Sequence, residues 1–154
     1  VREHHKACVV LVNKWDLVEK ATNTMKYYEE AIRDRIAPVR DVPILFASVK
    51  EKQRILKAME TAVKVFRQRT VKIPTARLNE AMLPVIERTP PPMVKDKRVK
   101  VKYVTQLPTR YPSFVFFCNL PQYVKEPYRR FIENQLRERF DFNGVPIEVW
   151  FRQK

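Results

Sequence analysis

The scarcity of glycine limits this chain more than any other feature of its sequence. Gly144 is the one glycine among 154 residues. Tight turns and phosphate-cradling loops need backbone conformations that glycine adopts cheaply and other residues do not. A phosphate-binding loop of the form G-x-x-x-x-G-K-[ST] needs two glycines, and so does the GXXG loop that clamps an RNA backbone. Both motifs are therefore excluded from this chain.

Strands and helices alternate in the first half of the sequence. The run "ACVVLV" at 7–12 is apolar and β-branched, which is typical of a strand covered on both faces. A second strand is predicted at 43–48, "PILFAS", and an amphipathic helix at 23–36. A second amphipathic helix follows, with one face made of Leu56, Met59, Val63 and Phe66. This order indicates α/β layering.

The character of the sequence changes after residue 72. Pro74 is followed by Thr75, the predicted N-cap of a short helix, and Pro84 is expected to kink or shorten that helix. We therefore predict two domains, at 1–72 and 73–154.

The second domain is predicted to contain three strands and a further helix. The strands are expected at 99–105, 113–119 and 147–152, and the helix begins near Pro127 and ends before Gly144. The aromatic residues of this half lie at core spacing, so we expect them to pack inside, with Trp150 as the exception.

A basic cluster lies where the first of these strands begins. It consists of Lys95, Lys97, Arg98, Lys100 and Lys102 and is interrupted by one acid. The net charge of the chain is +14, so nucleic acid is the expected partner. Strand alternation predicts Lys100 and Lys102 on one face, opposite Val99, Val101 and Tyr103. The alternative is that these charges only keep the protein soluble or protect a sheet edge from aggregation.

Polar residues end the first strand, where open α/β sheets bind their ligands. Asn13, Lys14 and Asp16 form an N-K-x-D motif. An ionised Asp16 suits the ring N–H and exocyclic amine of guanine, a donor pair that adenine lacks. Ser48 ends the next strand, where its hydroxyl is expected to brace Asp16, and the backbone N–H of Val49 is expected to meet the guanine oxygen.

Four segments closely resemble the C-terminal part of the Der (EngA) family, bacterial GTPases with two tandem GTPase domains that assist assembly of the large ribosomal subunit. They are "VVLVNKWDLVEK", "FASVKEKQRI", "RVKVKYVTQLPTRYPSFVFFCNLP" and "RFIENQLRERFDFNGVPIEVWFR". The resemblance implies that 1–72 is the last third of the second GTPase domain, an incomplete P-loop GTPase-type parallel sheet. It implies that 73–154 is an α+β KH-like domain, a three-stranded sheet with helices on one side.

The resemblance also assigns roles to individual residues. Asn13, Lys14 and Asp16 match the guanine-specificity motif of the family, and Ser48 matches the serine of the second base-contacting loop. Val49 replaces the usual alanine, where the backbone N–H contact survives the change. Lys52 replaces the usual glycine and is expected to alter how the loop turns.

The motifs for phosphoryl transfer do not occur in this sequence. The phosphate-binding loop, the magnesium-binding threonine and the D-x-x-G segment are missing, so we expect no catalytic residue and no metal ligand here. The parent is expected to bind GTP or GDP with magnesium, whereas this chain alone is expected to hold neither and to hydrolyse no GTP. Two strands do not complete a GTPase sheet, so self-association is also expected.

Two functions remain open at this point. The first is a piece of a ribosome-assembly GTPase whose KH-like domain contacts ribosomal RNA or the large ribosomal subunit, together with the missing GTPase domains. The second is a protein-interaction wedge that regulates the GTPase domains without direct RNA binding. Cys8 and Cys118 lie in apolar runs and suit a reducing compartment, so a cytoplasmic location away from membranes is expected.

Overall fold

The computed structural model describes residues 4–37 and 41–153, and it divides into two compact units. The first contains the residues up to Gln68 together with Asn143–Val145. The second contains Arg69–Phe142 and the residues from Pro146 onward. Residues 1–3 of the predicted first domain and residue 154 of the predicted second lie outside the described residues.

The first unit is built on two parallel strands. Strand β1 (Val10–Val12) pairs with β2 (Ile44–Phe46), with Val10 opposite Ile44 and Val12 opposite Phe46. Helix α1 (Thr24–Arg35) lies between them in sequence, and helix α2 (Ile55–Arg69) follows β2. Both strands form where the apolar runs predict them, although each is shorter than its run. Because the strands are parallel, their carboxyl ends lie side by side, and the polar residues that follow each strand begin there.

Helix α2 leaves its predicted apolar face in solvent. Four side chains share that face and are largely exposed: Leu56 by 77%, Met59 by 62%, Val63 by 48% and Phe66 by 63%. Val65, on another side of the helix, is buried. An apolar stripe of this length is unusual on the surface of a self-contained domain and marks an interaction surface.

The second unit is a three-stranded sheet with two helices. Its strands are β3 (Val101–Gln106), β4 (Ser113–Cys118) and β5 (Glu148–Gln153), in the order β3-β4-β5. β3 is antiparallel to β4, and β5 is parallel to it. Helices α3 (Thr75–Arg88) and α4 (Glu126–Phe140) contact each other and the sheet. The core includes Leu78, Met82, Val104, Phe114, Phe116, Ile132 and Leu136, all of them fully buried.

These elements confirm the predicted α/β class, with a parallel two-stranded sheet followed by an α+β unit. No helix in the described ranges is long and apolar enough to cross a bilayer. Cys8 and Cys118 are free thiols, and burial raises the pKa of both.

The predicted face assignment in β3 is wrong for Tyr103. Val101 pairs with Cys118 and Tyr103 with Phe117, which leaves Lys102 as an extra residue in a bulge. A bulge of this kind reverses the alternation of side chains along the strand. Val101 and Val104 therefore share the face of Cys118 and Phe116, whereas Tyr103 lies on the opposite face with Phe117. Lys102 has no partner in the register and is exposed.

The predictions for α3 also need correction. The N-cap is Pro74 rather than Thr75, which is the first helical residue, and no side chain caps this end. Pro84 does not shorten the helix, which continues to Arg88. Burial of Met82, Val85 and Ile86 on both sides of the proline favours a continuous helix and offsets the missing backbone hydrogen bond.

Residues other than glycine adopt the left-handed backbone conformation at several turns of this chain. Seven described non-glycine residues have positive φ: His5, Lys14, Lys52, Arg54, Lys95, Asp96 and Asp141. Each left-handed conformation costs about 1–2 kcal/mol for a residue with a Cβ. Three of the seven, Lys14, Lys52 and Arg54, lie in the loops that follow β1 and β2.

Candidate functional site

The loops that follow β1 and β2 are joined by backbone hydrogen bonds. The Ala47 N–H donates to the Val12 carbonyl at 2.9 Å, and the Trp15 N–H donates to the Ala47 carbonyl at 3.1 Å. The parallel pairing therefore continues past both strands. As a result, the N-K-x-D motif and the residues around Ser48 meet at one edge of the sheet, as the strand order predicts.

Trp15 anchors the motif, a role that the sequence analysis missed. Its side chain is only 5% exposed and packs on Phe46, with ring centroids 4.4 Å apart, and edge-on against Tyr28 at 5.5 Å. A large aromatic residue inside a polar run was the available signal. Its burial holds Lys14 and Asp16, the residues on either side, at fixed positions.

Asn13 connects the two loops through its side chain. Its Oδ1 accepts a hydrogen bond from the Val49 N–H at 3.1 Å. In this structure, the donor that was expected to meet the guanine oxygen is thus already paired with Asn13. A base that approaches this edge would share that N–H or take it over. The side chain of Val49 is 56% exposed.

Lys14 adopts a left-handed backbone conformation, with φ 59° and ψ 34°. Its carbonyl accepts a hydrogen bond from the Leu17 N–H at 3.1 Å and opens a short 3₁₀ turn over Trp15–Leu17. This turn begins two residues after the end of β1. Lys14 is exposed, so its methylene stem is available to cover a flat ligand.

Asp16 carries the unusual polar atom of the site. Its Oδ1 is buried and has no hydrogen-bond partner among the described residues, although the residue as a whole is partly exposed. The Ser48 hydroxyl is the main cause that holds the pKa of Asp16 below its usual value, and Lys50 and Lys20 act in the same direction. Asp16 is therefore ionised at neutral pH, with one enclosed oxygen that lacks a donor.

Ser48 is fully buried beneath this carboxylate. Its Oγ accepts a hydrogen bond from the Glu51 N–H at 3.2 Å, and its backbone pairs with Gln53 in both directions. The Ser48 side chain is thus fixed by its own loop, and its expected bracing of Asp16 stays a prediction. Lys52 has φ 52°, in the region that glycine favours, and its N–H donates to the Val49 carbonyl at 3.2 Å. The turn is therefore made with lysine in a glycine-like conformation.

This arrangement suits a base that presents two adjacent donors. The ring N–H and exocyclic amine of guanine would satisfy the carboxylate of Asp16, and adenine offers no such pair. The described residues contain no group of three or more His, Cys, Asp or Glu side chains that could hold a metal ion. The edge thus presents one ionised carboxylate, Asp16, between the exposed Lys14 and the buried Ser48.

The basic cluster lies on the surface of the second unit. Lys95, Lys97, Arg98, Lys100 and Lys102 are all exposed, and none of them forms an ion pair within the described ranges. Val94 and Lys97 bridge a turn through mutual backbone hydrogen bonds at 3.0 and 3.3 Å. The ammonium of Lys97 lies 5.6 Å from the centre of the Tyr123 ring. Backbone hydrogen bonds thus hold the turn in place, whereas the charged side-chain ends form no ion pair with described residues.

Asn119 holds the backbone of this cluster and was not predicted. Its Oδ1 accepts from the Lys100 N–H at 2.7 Å, and its Nδ2 donates to the Arg98 carbonyl at 3.1 Å. On α3, Asn79 plays a similar part at the edge of β3. Its Oδ1 accepts from the Val104 N–H and its Nδ2 donates to the Val104 carbonyl, both at 2.8 Å. These two groups on the open edge of β3 are therefore paired.

Comparisons with known proteins cover both units. Residues 72–152 match the family described as the KH-domain-like domain of EngA bacterial GTPase enzymes, C-terminal. The chain is 61% identical over 153 residues to the GTPase Der of Christiangramia forsetii, which covers 99% of this chain and 35% of the relative. It is 62% identical over 156 residues to the GTPase Der of Bacteroides fragilis, covering 100% and 36%.

A third relative gives the same picture. The GTPase Der of Flavobacterium johnsoniae is 57% identical over 152 residues, which covers 99% of this chain and 35% of that protein. The chain therefore spans about a third of the length of the curated relatives that it matches.

Proposed function

This chain belongs to the EngA (Der) family of bacterial GTPases, and we propose that it carries the guanine-recognition loops and a basic KH-like domain of a GTP-binding protein that acts in assembly of the large ribosomal subunit. The observation that supports guanine recognition is the ionised, partly exposed carboxylate of Asp16, which follows Asn13 and Lys14 just after the end of β1. The exposed, unpaired basic cluster on the second unit supports contact with ribosomal RNA.

Guanine recognition rests on the match between an ionised carboxylate and two adjacent donors. The ring N–H and amine of guanine are proposed to donate to the exposed part of the Asp16 carboxylate, whereas adenine presents no such pair. Sites of this kind reject the wrong ligand by about 10⁴-fold or more. Asn13 and Val49 line the same edge, and the stem of Lys14 is free to cover the base.

The phosphates and magnesium would be held elsewhere in the parent protein. Bound magnesium neutralises charge that develops on the transferred phosphoryl group. Asn13, Lys14, Asp16, Ser48 and Val49 select and orient the base, and they supply no group for phosphoryl transfer. The chain alone is therefore proposed to hydrolyse no GTP and to bind nucleotide weakly at most.

The base specificity is tested by titrating the ¹⁵N-labelled chain with GMP, AMP and XMP and following the backbone amides of Asp16 and Val49. GMP is expected to shift both amides and AMP neither. In Asp16→Asn, the side-chain amide replaces an acceptor with a donor, so the preference should move to the base that carries a carbonyl at that position, xanthine. Equal shifts with GMP and AMP would contradict guanine recognition.

Hydrolysis is tested separately by phosphate release from GTP. We expect a rate equal to that of buffer. Saturable hydrolysis that Asp16→Ala abolishes would overturn the proposed inactivity, and hydrolysis unaffected by this change would point to a contaminant.

RNA contact is tested with a salt series on the whole chain and a ribosomal RNA fragment. Phosphate contacts make log K fall linearly with log salt, by about 0.7–0.9 for each contact. Replacing Lys97, Arg98, Lys100 and Lys102 together with alanine should abolish most of this slope. A flat salt dependence in the unchanged chain favours the alternative function, a protein-interaction wedge.

The exposed apolar stripe of α2 supports a second partner within the parent protein. The stripe lies in the same unit as the guanine-reading edge, on the helix that follows that edge in sequence, and consists of Leu56, Met59, Val63 and Phe66. We propose that the remainder of the GTPase domain covers this stripe in a full-length relative. In the isolated chain, the same stripe is available to a second copy.

A further inference from the structure

One face of the second sheet carries aromatic and cationic side chains in two rows around Val115, which is buried. Paired residues of neighbouring strands project to the same side of a sheet. The register therefore places Tyr103, Phe117 and Arg152 in one row and Thr105, Val115 and Trp150 in the next. Lys102, the exposed extra residue of the bulge in β3, immediately precedes Tyr103. The opposite face carries Phe114, Phe116 and Phe151, which are buried.

The aromatic side chains of this face are held in fixed orientations. Tyr103 and Phe117 stack with their ring centroids 4.6 Å apart and an angle of 22° between the planes, and both are partly exposed. Trp150 is 43% exposed, and its Nε1 donates to Glu148 at 3.2 Å. Glu148 is the acid on this side, and it also accepts a hydrogen bond from the Tyr111 hydroxyl at 3.1 Å.

Positive charge flanks these rings. Lys102 and Arg152 are exposed and form no ion pair within the described ranges. They lie on either side of the Tyr103–Phe117 pair, on the two outer strands of the sheet. Flat apolar surfaces between cations match the alternation of bases and phosphates in a single strand.

We propose that this face binds single-stranded nucleic acid by base stacking, with one base on Trp150 and another extending the Tyr103–Phe117 stack. Lys102 and Arg152 contact the phosphates between them. This inference rests on the RNA contact proposed above and deepens it. A nucleic-acid strand without bases would still bind the basic cluster, but it would lose the stacking contacts with Trp150 and with the Tyr103–Phe117 pair.

The test measures fluorescence anisotropy of labelled strands with the whole chain. The probes are a twelve-nucleotide oligouridylate and an abasic ribose-phosphate strand of the same length and charge. Stacking is worth about 5-fold to about 150-fold in affinity per base. We expect the abasic strand to bind at least about 5-fold more weakly, and Trp150 fluorescence to fall with oligouridylate alone.

Variants separate stacking from charge. Trp150→Leu and Phe117→Leu should each weaken oligouridylate binding by about 5-fold or more and leave the slope of log K against log salt unchanged. Arg152→Gln should lower that slope by about 0.7. The matched control is Tyr27→Leu, because Tyr27 is an aromatic residue of α1 that is 71% exposed on the other unit, and it should change nothing. Circular dichroism checks that each variant is folded.

The outcomes distinguish this inference from the proposed function. Equal binding of the two strands by the unchanged chain, removed by the four-residue basic variant, would overturn stacking and leave RNA contact intact. No binding of either strand at low salt would overturn both. The comparison of the two nucleic-acid strands uses only the unchanged chain. Its result is therefore independent of whether the variants fold.

Discussion

Gly144→Ala tests whether the one glycine of the chain is required by the packing of the first unit. Gly144 has φ 73°, its N–H donates to the Asp41 carbonyl at 3.1 Å, and its carbonyl accepts from the Cys8 N–H at 3.0 Å. A Cβ at this position would lie 2.7 Å from the Cys8 carbonyl oxygen and 2.7 Å from Cδ of Pro43. One of these neighbours is backbone and the other is a proline ring, so neither can move aside cheaply.

Three terms give the expected size of the effect. The left-handed conformation costs alanine about 1–2 kcal/mol. Displacing the packed neighbours adds about 1–3 kcal/mol. The less flexible unfolded chain of the alanine variant returns about 0.4–1 kcal/mol. At the middle of each range these terms combine to about 3 kcal/mol. We therefore expect a net loss of about 2–4 kcal/mol, which is a large share of the stability of an ordinary domain.

Amide hydrogen exchange measures this loss where it occurs. The N–H groups of Cys8, Val10 and Ala47 bond to Gly144, Pro43 and Val12. Their opening free energies should fall together by about 2–4 kcal/mol, so their exchange should be about 30-fold to about 1,000-fold faster. Lys52→Gly is the opposite control, because φ at Lys52 is 52° and glycine relieves this conformation. Protection within about 0.5 kcal/mol of the original in Gly144→Ala would refute the packing argument.

Three further predictions follow from individual contacts. The pKa of Asp16 is lowered chiefly by Ser48, so guanine binding should be constant above the ordinary aspartate pKa of about 4 and be lost only at lower pH. Ser48→Ala should move that loss to higher pH in a titration by NMR, and an unchanged profile would contradict the role of Ser48. Tyr128→Phe should destabilise the second unit by about 1 kcal/mol in urea unfolding, because the buried hydroxyl donates to the Thr89 carbonyl at 2.8 Å. Burial raises the pKa of Tyr128 to about 12, so the hydroxyl keeps its proton at neutral pH. Light scattering should show self-association that Leu56→Lys with Phe66→Lys removes, and a monomer at high concentration would exclude that use of the α2 stripe.

The N-K-x-D motif and the loop around Ser48 show how much of a site can be predicted from the sequence. Both follow apolar runs, and the carboxyl ends of parallel strands meet at one edge, so their proximity could be predicted before any coordinates. The hydrogen bond between Asn13 and Val49, and the buried oxygen of Asp16, could not. Those depend on side-chain positions to within an ångström, which periodicity does not specify.

The helices show the same limit, because α2 and α3 differ in whether their apolar face is buried. The spacing of apolar residues correctly gives one face to α2, but spacing does not say whether anything covers that face. In the structure, Leu56, Met59, Val63 and Phe66 remain in solvent. The corresponding face of α3 packs on its sheet and keeps the helix intact through Pro84.

The class of the fold and the order of its strands and helices could be predicted from the sequence, because both depend on local pattern and chain direction. The assignment of base-reading residues stays a prediction. Tertiary structure alone decided the bulge at Lys102. That bulge brings Tyr103 to the side of Phe117 and Arg152 and so creates the aromatic face. One extra residue in a strand reverses the direction of every side chain beyond it, and its position is set by pairing with a neighbouring strand rather than by the residues of the strand itself.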